Sequence, residues 1–250
     1  MTAVLYAIPA SHPCAAVERA LQLKRIEYRR VELIPVAHRL PQHARFGTVS
    51  VPGVEFADGA RVAGSRPIVR ALEQRVPEPA LLPADARARA RVERAEEWGD
   101  QVLQALVRRI LWAALRRMPG AIRSYTEGAK LPVPEPVARL SSPLVARMAA
   151  RVNGASDPIV RADLLSLPGH LGRVDRWIAD GTLAGAEANA ADLQIGSSLA
   201  LLRTVEDVRA LVDDRPAGEL ARRWFPSYPG AVAAGTLAAA WIPASTATAH

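Results

Sequence analysis

The chain has 250 residues, half of them hydrophobic and 23% charged, which is enough to bury a core and carries no compositional sign of disorder. Its single cysteine excludes an internal disulfide framework. The net charge of +7 comes from arginines interleaved with glutamates, as in ARARARVERAEE, with no zinc-finger or RNA-recognition pattern, so nucleic acid is not an expected partner.

The opening MTAVLYAIPASHPC lacks the basic start and long apolar run of a secretory signal, and the expected location is cytoplasmic. AVLYAI reads as a buried strand, CAAVERALQLKRI as a helix, and EYRRVEL as an alternating strand. A loop follows. VPGVEF and RVAGS are two short strands, and the ADG between them signals a hairpin. RPIVRALEQRV returns to helical period, with Arg66 and Pro67 in its first turn, where proline is tolerated. The order is therefore βαβ followed by ββα, enough for a four-stranded mixed sheet, because parallel strands need a helical crossover.

PEPALLPAD, residues 77–85, reads as a linker between a domain at 1–76 and one at 86–250. Beyond it, ARARARVERAEEWGDQVLQALVRRILWAALRRM is a long amphipathic helix with Val92, Trp98, Val102, Leu106 and Ile110 at helical intervals. SDPIVRADLLSLPGHLGRVDRWIADG and ANAADLQIGSSLALLRTVEDVRALV are further helices, so the second domain is expected to be all-helical, with five or six helices. In the latter stretch Asn189 is a helix N-cap, and Asp192 can return a hydrogen bond to the cap backbone. The charge-free stretch from Trp224 to Ala249 is broken by Pro226, Pro229 and Pro243. It is a poor membrane span and is expected to be a surface-hugging tail, so no membrane partner is expected.

Taken together, LYAIPASHPCAAVERALQLKRIEYRRVEL, the Val51-Pro52 pair, DGARVAGSRPIVRALE and NAADL resemble the glutathione S-transferase superfamily. The first stretch is most similar to the theta class, in which an LY....S.PC.AV pattern carries the catalytic serine. The resemblance implies a thioredoxin-like α/β domain followed by an all-α domain. It implies that Ser11 hydrogen-bonds the glutathione sulfur, and that Pro52 is a cis-proline leaving the Val51 backbone free to pair with the cysteinyl part. Ser65, with Arg66 beside it, would hold the γ-glutamyl carboxylate, and His38 or Arg39 the glycyl end. One position departs from the pattern: Gly64 stands where the superfamily has an acidic residue. A lost charge-assisted hydrogen bond of about 1.5 to 3 kcal/mol lowers glutathione affinity tenfold or more, which leaves room for another low-molecular-weight thiol.

The residue types suit that chemistry. A thiol near pKa 8.5 is only slightly ionised at neutral pH, and lowering it by about two units takes roughly 2.7 kcal/mol. A hydroxyl bonded to the anion supplies about 1.5 to 3 kcal/mol and a helix N-terminus about 0.3 to 1. A serine at a helix mouth is therefore sufficient without a general base.

Cys14, one turn inside the helix, is read as inert packing, with a redox role as the alternative. Tyr6 is read as a core or interface residue, and His12 as an exposed loop residue able to tune the site. The five histidines, His12, His38, His43, His170 and His250, show no metal-ligand spacing, so no metal is expected. A second substrate would lie against the long helix, with Trp98, Leu103, Trp112 and Tyr125 in the region concerned.

The first functional expectation is a glutathione S-transferase-like enzyme joining a bound thiol to an electrophilic small molecule. The alternatives are a non-catalytic binding protein that keeps the fold and a thiol-disulfide oxidoreductase. A homodimer is what the resemblance implies.

Overall fold

The computed structural model describes residues 2–35, 37–131 and 133–243. The first part contains β1 (Ala3–Ala7), α1 (His12–Leu23), β2 (Tyr28–Glu32), α2 (Arg39–Phe46), β3 (Gly53–Glu55), β4 (Arg61–Ala63) and α3 (Ser65–Arg75). The sheet order is β2-β1-β3-β4, with β1 and β2 parallel and the other neighbours antiparallel. This is the thioredoxin-like βαβ-ββα arrangement. Alternation along β1 sends Ala3, Leu5 and Ala7 into the core beside Val17, Leu21, Ile68 and Leu72 of α1 and α3.

Tyr6 points to the opposite face. There it meets Phe46 edge-on at 5.5 Å between ring centroids, with the Arg45 guanidinium 4.9 Å over its ring. The stretch between β2 and β3, expected as loop, thus contains α2. It was hidden because an eight-residue helix that buries only Gln42 shows little apolar periodicity. Gly53 is what lets α2 approach the sheet: a Cβ there would lie 2.5 Å from the Phe46 ring.

The helical part comprises α4 (Ala86–Trp98), a π-helical turn (Gly99–Leu103), α5 (Gln104–Arg117), α6 (Ile122–Thr126), α7 (Glu135–Val152), α8 (Asp157–Ala179), α9 (Ala190–Leu202), α10 (Glu206–Asp213) and α11 (Pro216–Trp224). These are eight α-helices among the described residues, against the five or six expected. The long helix is continuous through the π turn, and α7 was obscured by the prolines of LPVPEP ahead of it and Pro143 within it.

Every residue of α9 is buried, which makes it the axis on which α1, α4 and α11 pack. Its start is fixed as the sequence suggested. The Asn189 side chain accepts from the Ala191 and Asp192 amides at 2.9 and 3.1 Å, and Asp192 accepts from the Asn189 amide at 2.9 Å and the Ala184 amide at 2.8 Å. Burial pushes the Asp192 carboxyl up to about 6. The two parts are tied by ion pairs as well: buried Glu96 of α4 receives Arg70 of α3.

The stretch after Trp224 does more than hug the surface. Phe225, Val232 and Leu237 are buried, and Val232 forms a β-bridge with Val205. An apolar, charge-free segment without periodicity gives no sign of which residues turn inward, and tertiary contact decided it.

Candidate functional site

A cavity of about 590 Å³ opens between the sheet domain and the helices, a size suited to a small-molecule ligand. Ser11, His12, His38, Arg39, Val51, Ser65 and Arg66 all line it. Pro52, buried behind Val51, and Cys14 do not.

Ser11 is the N-cap of α1, with φ −75° and ψ 118°, and its side chain makes no capping hydrogen bond. Its hydroxyl therefore bonds none of the first-turn amides of the helix it introduces, at the positive end of the dipole. The backbone before it is strained. Ala10 has φ +53°, and its carbonyl accepts a 3.0 Å hydrogen bond from the Tyr228 hydroxyl. The C-terminal segment thereby braces the serine loop, an arrangement no local pattern announced.

Cys14 is fully buried in α1, and burial pushes its thiol up to about 11, with a hydrogen bond from Ser11 pulling the other way more weakly. A thiol so placed is a poor nucleophile.

His12 is a correction. Read as an exposed loop residue, it is the first residue of α1 and only 3% exposed. Its Nδ1 lies 3.0 Å from the Ser198 hydroxyl of α9, and that hydroxyl donates to the Gln194 carbonyl at 3.1 Å. Burial, then the nearby Arg108 charge, hold the imidazole well below the usual histidine range, so it is neutral.

Val51 and Pro52 are joined by a cis peptide. Beside them the Gly64 amide donates to the Pro52 carbonyl at 2.8 Å, and Gly64 itself has φ +90°. The absence of an acidic side chain here coincides with a backbone conformation that strains any residue bearing a Cβ.

Ser65 opens α3 and is buried on the cavity wall. Arg66 reaches toward the α4 carboxylates, 3.6 Å from Glu96 and 3.8 Å from Glu97. His38 stands at the start of α2, where burial and then Arg39 hold it below its ordinary pKa.

The opposite wall is one face of the long helix. Asp100, Gln104, Arg108 and Trp112 recur every four residues and line the cavity together. This polar series on one face of an amphipathic helix was the available signal, and only Trp112 was anticipated. Asp100 is the single carboxylate on the wall among the described residues, and burial raises its pKa. Arg108 is held by Gln104.

Tyr125 also lines the wall, but its hydroxyl is bonded to Thr204 at 2.6 Å and burial pushes it up to about 12. Leu103 belongs to the core, and Trp98 packs away from the cavity on Trp177, 5.2 Å between ring centroids. Among the described residues no three His, Cys, Asp or Glu side chains are grouped to hold a metal, and His250 lies outside them.

Residues 5–80 match the family model of the glutathione S-transferase N-terminal domain. The first domain belongs to the glutathione S-transferase superfamily. Solved glutathione S-transferases extend the likeness of fold to the whole chain. One from Rhodospirillum rubrum F11 is 24% identical, covers 91% of this chain and 96% of its own, and superposes with a TM-score of 0.56. Glutathione transferase F7 from Populus trichocarpa is 18% identical over 90% of this chain and 92% of its own, with a TM-score of 0.60. One from Methylobacterium radiotolerans JCM 2831, in complex with glutathione sulfonate, is 19% identical over 89% and 90%, with a TM-score of 0.55. No curated protein sequence matches the chain. The glutathione S-transferase fold therefore accounts for both the sheet order and the helices around α9.

Proposed function

We propose that the chain is a glutathione S-transferase-like enzyme of the cytoplasm that ionises glutathione, or a related low-molecular-weight thiol, and adds it to an electrophilic small molecule. The observation that carries this reading is the Ser11 hydroxyl, which caps no amide of α1, at the N-terminus of that helix on the wall of a cavity shared with Val51 and Ser65. The neighbour bound to glutathione sulfonate supports the ligand class.

In this reading Ser11 donates to the thiol sulfur, the thiol proton passes to water, and the thiolate electron pair forms the bond to the electrophilic carbon as the π pair of its activated double bond shifts away and takes up a proton from water. The Val51 backbone pairs with the cysteinyl unit. Ser65 and the first turn of α3 hold the γ-glutamyl carboxylate, with Arg66 beside them, while His38 and Arg39 serve the glycyl carboxylate. Asp100 takes the ammonium, in place of the acid missing at Gly64. The apolar end of the cavity, toward Leu111 and Trp112, receives the electrophile, and two copies of the chain pair as in the superfamily.

Gly64 also favours a second reading, a binding protein that keeps the fold without turnover. Turnover of a model electrophile separates the two, and calorimetric titration tests the site they share: micromolar to low-millimolar glutathione binding that falls at least tenfold in Asp100→Asn supports the thiol site. Absence of heat with glutathione and with a second small thiol removes it. Buried Cys14, with its raised pKa, gives the oxidoreductase alternative no support.

A further inference from the structure

We propose that α7 is a membrane-surface anchor whose outward face docks on an anionic lipid bilayer. At 3.6 residues per turn, Val137, Leu140, Leu144, Met148 and Val152 fall within an arc of about 120°. All five are exposed, Leu140 at 86% and Leu144 and Val152 at 61% each. The face turned inward is made of small residues: Ser142, Ala146, Ala149 and Ala150. An ordinary surface helix buries its large apolar side chains and exposes its alanines, and α7 does the reverse.

The chemistry of the rim selects the partner. Arg139, Arg147 and Arg151 are exposed on α7, and its one acidic residue, Glu135, pairs with Arg123 at 3.2 Å. A second copy packed antiparallel on this face would bring the two arginine-bearing flanks to the same side. Every residue from Glu135 to Leu140 is exposed, so the helix begins as a ridge rather than a groove. A ridge of large apolar residues with Arg147 at one edge and Arg151 within the stripe matches an interface helix lying in the headgroup layer of an anionic bilayer. The chain's net charge of +7 adds to that attraction. No helix among the described residues is long and apolar enough to cross a membrane, so the contact is with the surface.

The stripe is continuous with the cavity, because Val152 belongs to both and Ala149 and Asn153 line the wall beside it. Docking would set the cavity against the bilayer. A further consequence, that the electrophile is a lipophilic molecule dissolved in the membrane, rests on the thiol-transfer reading, whereas the docking itself does not.

The test is co-sedimentation of the full chain with vesicles of two parts phosphatidylcholine to one part phosphatidylglycerol, against phosphatidylcholine alone. The expected result is binding to the anionic vesicles that weakens as salt is raised. Arg147→Gln with Arg151→Gln should weaken it about thirtyfold, and Leu140→Asp with Leu144→Asp at least tenfold, with circular dichroism unchanged. No binding by the native chain overturns the proposal, as does undiminished binding by both double variants. Loss of a dimer in the leucine variant without vesicle binding assigns the face to a second copy and also overturns it. Turnover plays no part in this readout, so its failure is separate from failure of the thiol site.

Discussion

Replacing Ser11 by alanine separates chemistry from folding, because the serine stands at a helix cap without capping. A serine N-cap whose side chain bonds the first-turn amides typically loses about 0.5 to 2 kcal/mol on replacement by alanine. Ser11 makes no such bond, so the fold should lose less than about 0.5 kcal/mol, a melting shift of roughly 2 °C or less at this chain length. The bound thiol should lose the whole hydroxyl contribution of about 1.5 to 3 kcal/mol and keep only the helix N-terminus at about 0.3 to 1. Its pKa should rise by about one to two units, and turnover of a model electrophile near neutral pH should fall tenfold or more. The assay is the thiolate absorbance of bound glutathione titrated against pH in both proteins, with rates measured alongside. An unchanged thiol pKa with an unchanged rate refutes the assignment of Ser11. A melting temperature lowered by more than about 4 °C refutes the absence of a capping bond from its hydroxyl.

Three further predictions concern two buried groups. Asp192→Ala removes the buried acceptor of two part-buried backbone amides and should lower the melting temperature by about 5 °C or more; a shift under about 2 °C contradicts the role given to the capping box. Because burial raises the Asp192 carboxyl to about 6, the folded state holds its proton more tightly than the unfolded chain. Its contribution to stability is therefore full below the unfolded value near 4 and is lost as pH rises toward 6. The native chain should lose stability over that window relative to Asp192→Asn, and parallel profiles would contradict the shift. Cys14, buried with its thiol raised to about 11, should react with a thiol reagent only at the rate at which the fold opens; labelling within seconds in the native state would restore the redox alternative.

Local chemistry was legible wherever the cause of a structure lies within a few residues of it. The period changes from AVLYAI to the first helix and on to EYRRVEL, the ADG turn, and the Asn189 and Asp192 cap each carry their own warrant, and each appears in the structure. What stayed hidden depends on distant partners. His12 looks like a loop histidine until α9 arrives, 186 residues later in the chain, with Ser198 beneath it. The strained Ala10 is held by Tyr228, 218 residues away, and nothing in ASHP or SYPG signals that pairing. Asp100, Gln104 and Arg108 form a regular polar series, but a polar helix face is as well explained by water as by a ligand until the serine loop is placed across from it. The same ambiguity concealed α7. Its apolar stripe, read in isolation, would be assigned to the core, and only the burial of its alanines shows that the large side chains face outward. Periodicity identifies which residues share a face, but the direction of that face is decided by competition for a finite core. In this chain α9 and α5 had already filled it with leucine, isoleucine and valine, which left α7 to pack through its smallest residues.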